Sequence, residues 1–287
     1  MRTSTAGWGS GLIGVIIFSG SLPATRVAVS DFSPLFLTSA RAVIAALLGA
    51  ALLFVLRQPR PAAGHLLSLA LVALGVVVGF PLLTALALQH ISAAQSIVFV
   101  GLLPLATAIF GVLRGGERPR PAFWLFSGIG SAMVAGYAAT SGIAVSLTGD
   151  LLMIAAIVVC GLGYAEGAKL SRILGGWQVI SWALILSLPP MAAIALATLP
   201  QTWQGIAGLS WIGLAYVSVF SMLLGFVFWY RGLAVGGIAG VGQLQLLQPF
   251  FGLLLAAGLL GERVSGMMFV TTLAVVLCVA GARRYAR

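Results

Sequence analysis

Gln245 and Gln248 stand three positions apart inside an otherwise apolar run and flank Pro249. At helical spacing they share one face, which Gly252 continues one turn on. A carboxamide both donates and accepts. Beside a carbonyl left unpaired by proline, the pair suits the ammonium or carboxylate of an amino acid, and it would serve equally to tie one helix to its neighbours. A second polar group, Ser19, Ser21 and Thr25, surrounds Pro23, and Gln95 with Ser96 opens another apolar run. A lone helical serine usually bonds back to its own turn, so it is the grouping around one proline that makes Ser19 a candidate. Ionisable residues within or bordering the apolar runs are few: Arg26, Arg41, His90, Asp150, Glu166 and Lys169. Glu166 and Lys169 share a face and are expected to pair locally, and His90 to be a solvated cap. There is no glycine-rich phosphate loop, no paired histidines and no embedded acidic pair, so neither an enzyme nor an ATP-driven pump is expected. No cofactor or metal is expected either. Cys160 and Cys278 lie in apolar runs at a spacing that suits packing.

The elements that must position these groups follow from composition. Of 287 residues, 61% are hydrophobic and only 7% charged, with a mean hydropathy of +1.14. A soluble domain carries about 25% charged residues. The chain belongs in a lipid bilayer. A spanning helix needs about 20 apolar residues, and ten runs qualify: 8–28, 33–56, 66–88, 92–113, 121–141, 147–168, 178–199, 209–230, 239–260 and 266–283. They are continuous rather than alternating, which argues against a membrane barrel. The first run exceeds the usual apolar length of a signal peptide and is kept as a mature helix. The net charge of +10 has no basic-aromatic surface to offer nucleic acid. With both termini cytoplasmic, twelve basic residues fall on the inner side and only Arg26 and Arg263 outside, as the positive-inside rule requires. The expectation is a multi-pass protein of the cytoplasmic membrane.

Pro23, Pro81, Pro104 and Pro249 lie within these runs, and each deprives the carbonyl four residues earlier (Ser19, Val77, Val100, Gln245) of its usual donor. In a membrane such carbonyls turn to a neighbouring helix or to cavity water, which makes the four prolines candidate hinges. Two of them belong to a repeat. Pro104 precedes Gly116-Glu117-Arg118 just as Pro249 precedes Gly261-Glu262-Arg263, with 13 positions from proline to glutamate in both and 145 between copies. Five helices in each half make the second half run in the opposite sense. Residues 1–142 and 143–287 are therefore expected as inverted repeats around a shared site.

The doubled Pro…Gly-Glu-Arg, the two five-helix halves and Gly149-Asp150 opening the second half resemble the drug/metabolite transporter superfamily. Within it, they resemble the ten-helix EamA-type exporters, and the bacterial aromatic amino acid exporters in particular. The resemblance implies an all-α integral membrane carrier, with helices one, three, four, six and eight around a central cavity. That would bring Phe18, Phe80, Phe99, Tyr164, Trp229 and Tyr230 to the substrate, where ring stacking adds about 0.5–1.5 kcal/mol beyond area burial. Arg41 is expected to orient or pack the second helix, since similar carriers often have an arginine there followed by an aromatic; here Ala42 follows. The implied function is export of a small metabolite, with aromatic or apolar amino acids favoured, by alternating access. A drug-like cation or nucleotide sugar as cargo, and a membrane enzyme or non-transporting scaffold, are the alternatives.

Overall fold

The computed structural model describes residues 5–91, 96, 99–139, 146–260 and 266–286. Among them there is no strand, and six helices are long and apolar enough to cross a membrane. These six are α1 (Thr5–Ala28), α2 (Pro34–Val55), α3 (Ala63–Ala87), α6 (Leu147–Leu174), α7 (Gly176–Ala197) and α8 (Gly208–Gly236). The remaining helical segments are α4 (Leu103–Gly115), α5 (Pro121–Ala139), α9 (238–260) and α10 (Gly266–Tyr285).

Helix ends follow local chemistry. Ser33 caps α2 by accepting the Phe36 N–H at 3.2 Å, with Pro34 at the first helical position. Ser146 caps α6 through the Gly149 N–H at 3.3 Å. Gly116 stops α4 by adopting a left-handed φ of 69°, which has no Cβ penalty at glycine.

Each candidate proline sits at a departure from regular helix. Before Pro23, α1 breaks at Gly20. In α3, a wide π turn over Ala73–Gly79 precedes Pro81 and absorbs the missing N–H. Pro104 is the second residue of α4. In α9, a 3₁₀ turn over Gln243–Leu247 comes just before Pro249, and there the Gln248 N–H takes the Gln245 carbonyl. A second π turn, Tyr216–Leu224 in α8, has no proline behind it.

Packing pairs α1 with α8, α3 with α6, α2 with α7 and α5 with α10. The first two crossings are backbone against backbone. A Cβ at Gly7 would stand 2.7 Å from the Gly236 nitrogen, one at Gly232 2.7 Å from Gly11, and one at Gly75 2.8 Å from the Gly163 Cα. Close approach of this kind is what small residues provide where lipid supplies no hydrophobic drive between helices.

Candidate functional site

A cavity of about 50 Å³ lies where the α1–α8 pair faces the α3–α6 pair. Phe18 and Phe226 line it from one side, Phe80 and Tyr164 from the other. Three pairs of its wall residues are each 145 positions apart: Val76 and Ser221, Pro81 and Phe226, Leu103 and Gln248. Small-molecule sites usually enclose about 300–1,000 Å³, so the walls here are drawn together, with space for only a water or two.

The polar groups of the cavity come from helices of both halves. Ser21 donates to the Ser221 Oγ at 2.7 Å, and the Arg41 Nη2 donates to the same oxygen at 3.3 Å. Arg41 is 7% exposed, and its Nε has no partner. An arginine at the centre of a span costs about 2.5–3.5 kcal/mol on insertion scales, and this one, two turns in, bears part of that cost. Gln248 reaches across to the Phe18 carbonyl, at 3.4 Å. Thr84 also lines the cavity, and its buried hydroxyl lacks a partner.

The sequence-derived candidates divide. Phe18, Phe80, Tyr164, Gln248 and Pro81 line the cavity. Trp229 stands just behind, its ring 6.2 Å from Phe18 and 5.4 Å from Tyr164, fully buried with its indole N–H unpaired. Gln245 is fully buried; its carboxamide approaches the Tyr164 hydroxyl, yet neither polar atom completes a hydrogen bond. Tyr230 is occupied by packing, its hydroxyl donating to the Gly163 carbonyl at 3.2 Å. Ser19 bonds back to Val15 at 2.7 Å. Phe99 packs, partly buried, among apolar residues beside the cavity. Gln95 lies outside the described residues. Glu166 pairs with Arg114 across α6 and α4 rather than with Lys169, because a fully buried carboxylate takes the cation that α4 delivers to it.

The sequence gives Arg41 an orienting or packing role and does not mark its place on the cavity wall. The available signal was a cation two turns into a span with no acidic residue nearby on its own helix. Nor does the sequence mark how the ends of the bundle are closed. The Glu117 carboxylate receives the N–H groups of Ile238 and Ala239 and the Arg172 guanidinium. Beside it, a recess of about 570 Å³ holds Trp8, Arg118, Arg172 and Arg283, with Arg283 stacked 4.6 Å over the Trp8 ring. At the opposite end Asp31 accepts from the Ser210 hydroxyl at 2.7 Å and the Ala207 N–H at 2.9 Å, against an aromatic layer containing Phe32, Trp203 and Trp211. No group of three His, Cys, Asp or Glu among the described residues could hold a metal.

The EamA-like transporter family matches the chain twice, over residues 5–138 and again over 147–283. The chain belongs to that family. As an EamA-family protein it is 64% identical over 287 residues, the full length of both chains, to the "Uncharacterized transporter YdeK" of Bacillus subtilis. It is 24% identical to the "Uncharacterized transporter sll0355" of Synechocystis sp., over 88% of this chain and 82% of that one. A solved crystal structure with 19% identity superposes with a TM-score of 0.80, covering 96% of this chain and 97% of the other, and so shares the fold. The EamA-family assignment, with the all-helical apolar fold, makes this a multi-pass membrane transporter.

Proposed function

We propose that this EamA-family transporter exports a small metabolite, an amino acid with an aromatic or apolar side chain being favoured, across the cytoplasmic membrane. It works by alternating access between two inverted five-helix repeats, residues 1–142 and 143–287, with both termini in the cytoplasm. The observation that carries the reading is the cavity whose walls recur at the 145-residue offset. A cavity on a pseudo-two-fold axis between repeats is where a carrier of this kind binds its cargo. The packing agrees: exchanging the halves turns the α1–α8 contact into α6–α3 and leaves α2–α7 and α5–α10 as they are. Both π turns, Ala73–Gly79 and Tyr216–Leu224, also fall at this offset.

Phenyl rings and amide groups in one chamber suit a zwitterion with an apolar side chain. No aspartate, glutamate or histidine lines the cavity among the described residues, which favours a carrier not driven by proton exchange. The drawn-in walls belong to a contracted state, and the cavity must widen for loading. Purified protein in liposomes should move labelled phenylalanine, tryptophan or leucine well above protein-free vesicles. Flux of none of these would remove amino acids as cargo. For the topology, cysteines at Arg118 and Arg263 should react with impermeant thiol reagents from opposite compartments. Labelling of both from one side would end the inverted-repeat reading.

A further inference from the structure

Arg41 is an uncommon object: a guanidinium 7% exposed, inside a membrane-spanning helix, on a cavity wall, with no carboxylate paired to it among the described residues. Glu166 is committed to Arg114, Glu117 to Arg172 and the start of α9, and Asp31 to Ser210 and Ala207. A buried charge of this kind needs a counter-ion or a full set of acceptors. The one side-chain acceptor it has among the described residues, the Ser221 Oγ, is shared with Ser21. Because that oxygen already accepts twice, the Ser221 proton is free to be given to something else. Arg41, Ser221 and Thr84 all border the same cavity, and each has donor capacity that no described residue uses. Each of the three can donate to an anion. What is missing is an anion.

We propose that Arg41 is the anion anchor of the transport cavity, docking a carboxylate of the cargo with the Ser221 hydroxyl beside it. A planar guanidinium fork matches a carboxylate in two parallel hydrogen bonds, and Phe18, Phe80 and Phe226 are left to hold the apolar remainder. The inference rests on the transport reading above and deepens it: the cavity recognises the acid function of the cargo before its side chain.

The test compares three labelled probes in liposomes: L-phenylalanine, phenylpyruvate (carboxylate without ammonium) and phenethylamine (ammonium without carboxylate). Wild type should move one or both carboxylate-bearing probes and phenethylamine at roughly one-tenth that rate or less. Arg41→Gln should lower carboxylate flux by roughly tenfold or more, Arg41→Lys should retain an intermediate rate, and Ser221→Ala should give a smaller loss. Flux of phenylpyruvate alone would support the anchor and replace the amino acid as cargo. Phenethylamine moving as fast as phenylalanine, or undiminished flux in Arg41→Gln, would overturn the anchor and leave transport standing. Should Arg41→Gln not fold, the wild-type probe comparison and Ser221→Ala still decide. Flux of none of the three probes would overturn the amino acid cargo reading, and the anchor with it.

Discussion

Glu117 holds the first peptides of α9 through Ile238: the Ile238 N–H donates to Oε1 at 2.6 Å, and the adjoining Ala239 N–H donates to Oε2 at 2.7 Å. Gly237, at a φ of 96°, turns the chain so that these two N–H groups point outward together. The carboxylate thus spans from the α4–α5 connection to a helix of the other half, where the positive end of the helix dipole favours it.

Hydrogen bonds to a charged group contribute about 1.5–3 kcal/mol each. Glu117→Gln keeps the shape and removes the charge, so the clasp weakens and the adjacent recess opens more often. A cysteine placed at Ala234, in the wall of that recess, should react several-fold faster with a thiol reagent in Glu117→Gln than in the parent. Equal rates would show that Glu117 closes nothing.

Gln245 offers the opposite case, a buried group without completed bonds. A polar group left buried and unsatisfied costs about 1–3 kcal/mol, which offsets the cavity that truncation opens. Gln245→Ala should therefore lower flux while leaving the thermal midpoint of the purified protein unchanged or slightly raised. A parallel fall in midpoint and yield would make Gln245 a packing residue.

The Asp31 clasp is pH-dependent. Donation from the Ser210 hydroxyl, then the Ala207 N–H, holds its carboxyl below the ordinary value of 3.8. A folded-state value below the unfolded one means the contribution is present above the unfolded value and lost as pH falls through the folded one. Melting curves should show that Asp31→Asn loses less stability than the parent on acidification below about pH 4. Superimposable acid limbs would show that the clasp is not coupled to folding.

The crossing of α1 and α8 can be tested with paired glycines. A side chain at Gly7 meets the Gly236 backbone, whereas Gly9 faces open space. Overpacking costs about 1–3 kcal/mol, so Gly7→Val should lower the thermal midpoint by several degrees and Gly9→Val far less. Equal effects would mean that helix propensity, not contact, governs the site.

What could be read from the sequence was whatever is local. Apolar runs mark the long helices because a bilayer imposes their length, and Pro81 and Pro249 mark the irregular turns because a missing N–H must be accommodated within one turn. The π turn of α8 left no such mark; it lies against Phe18, which packs on Gly225 from another helix. The same holds for the site. Phe18, Phe80 and Tyr164 are legible from residue type and helix, but Arg41 reads as an orienting or packing residue, since its cavity is made by segments up to 207 residues away. Glu166 was misjudged for the same reason, because Arg114 is distant in sequence and adjacent only in space.

The glycine contacts of α1 with α8, and of α3 with α6, leave no room for one backbone to slip along the other. Each couple joins a helix from the front of the polypeptide to one from the back, and the chamber lies between the couples. On the proposed alternating-access cycle, the bodies that tilt would be these two hybrids, each built from helices of both repeats, and neither corresponds to a continuous stretch of chain. Cutting the polypeptide near residue 142 would then yield two fragments, neither of which contains both helices of either couple.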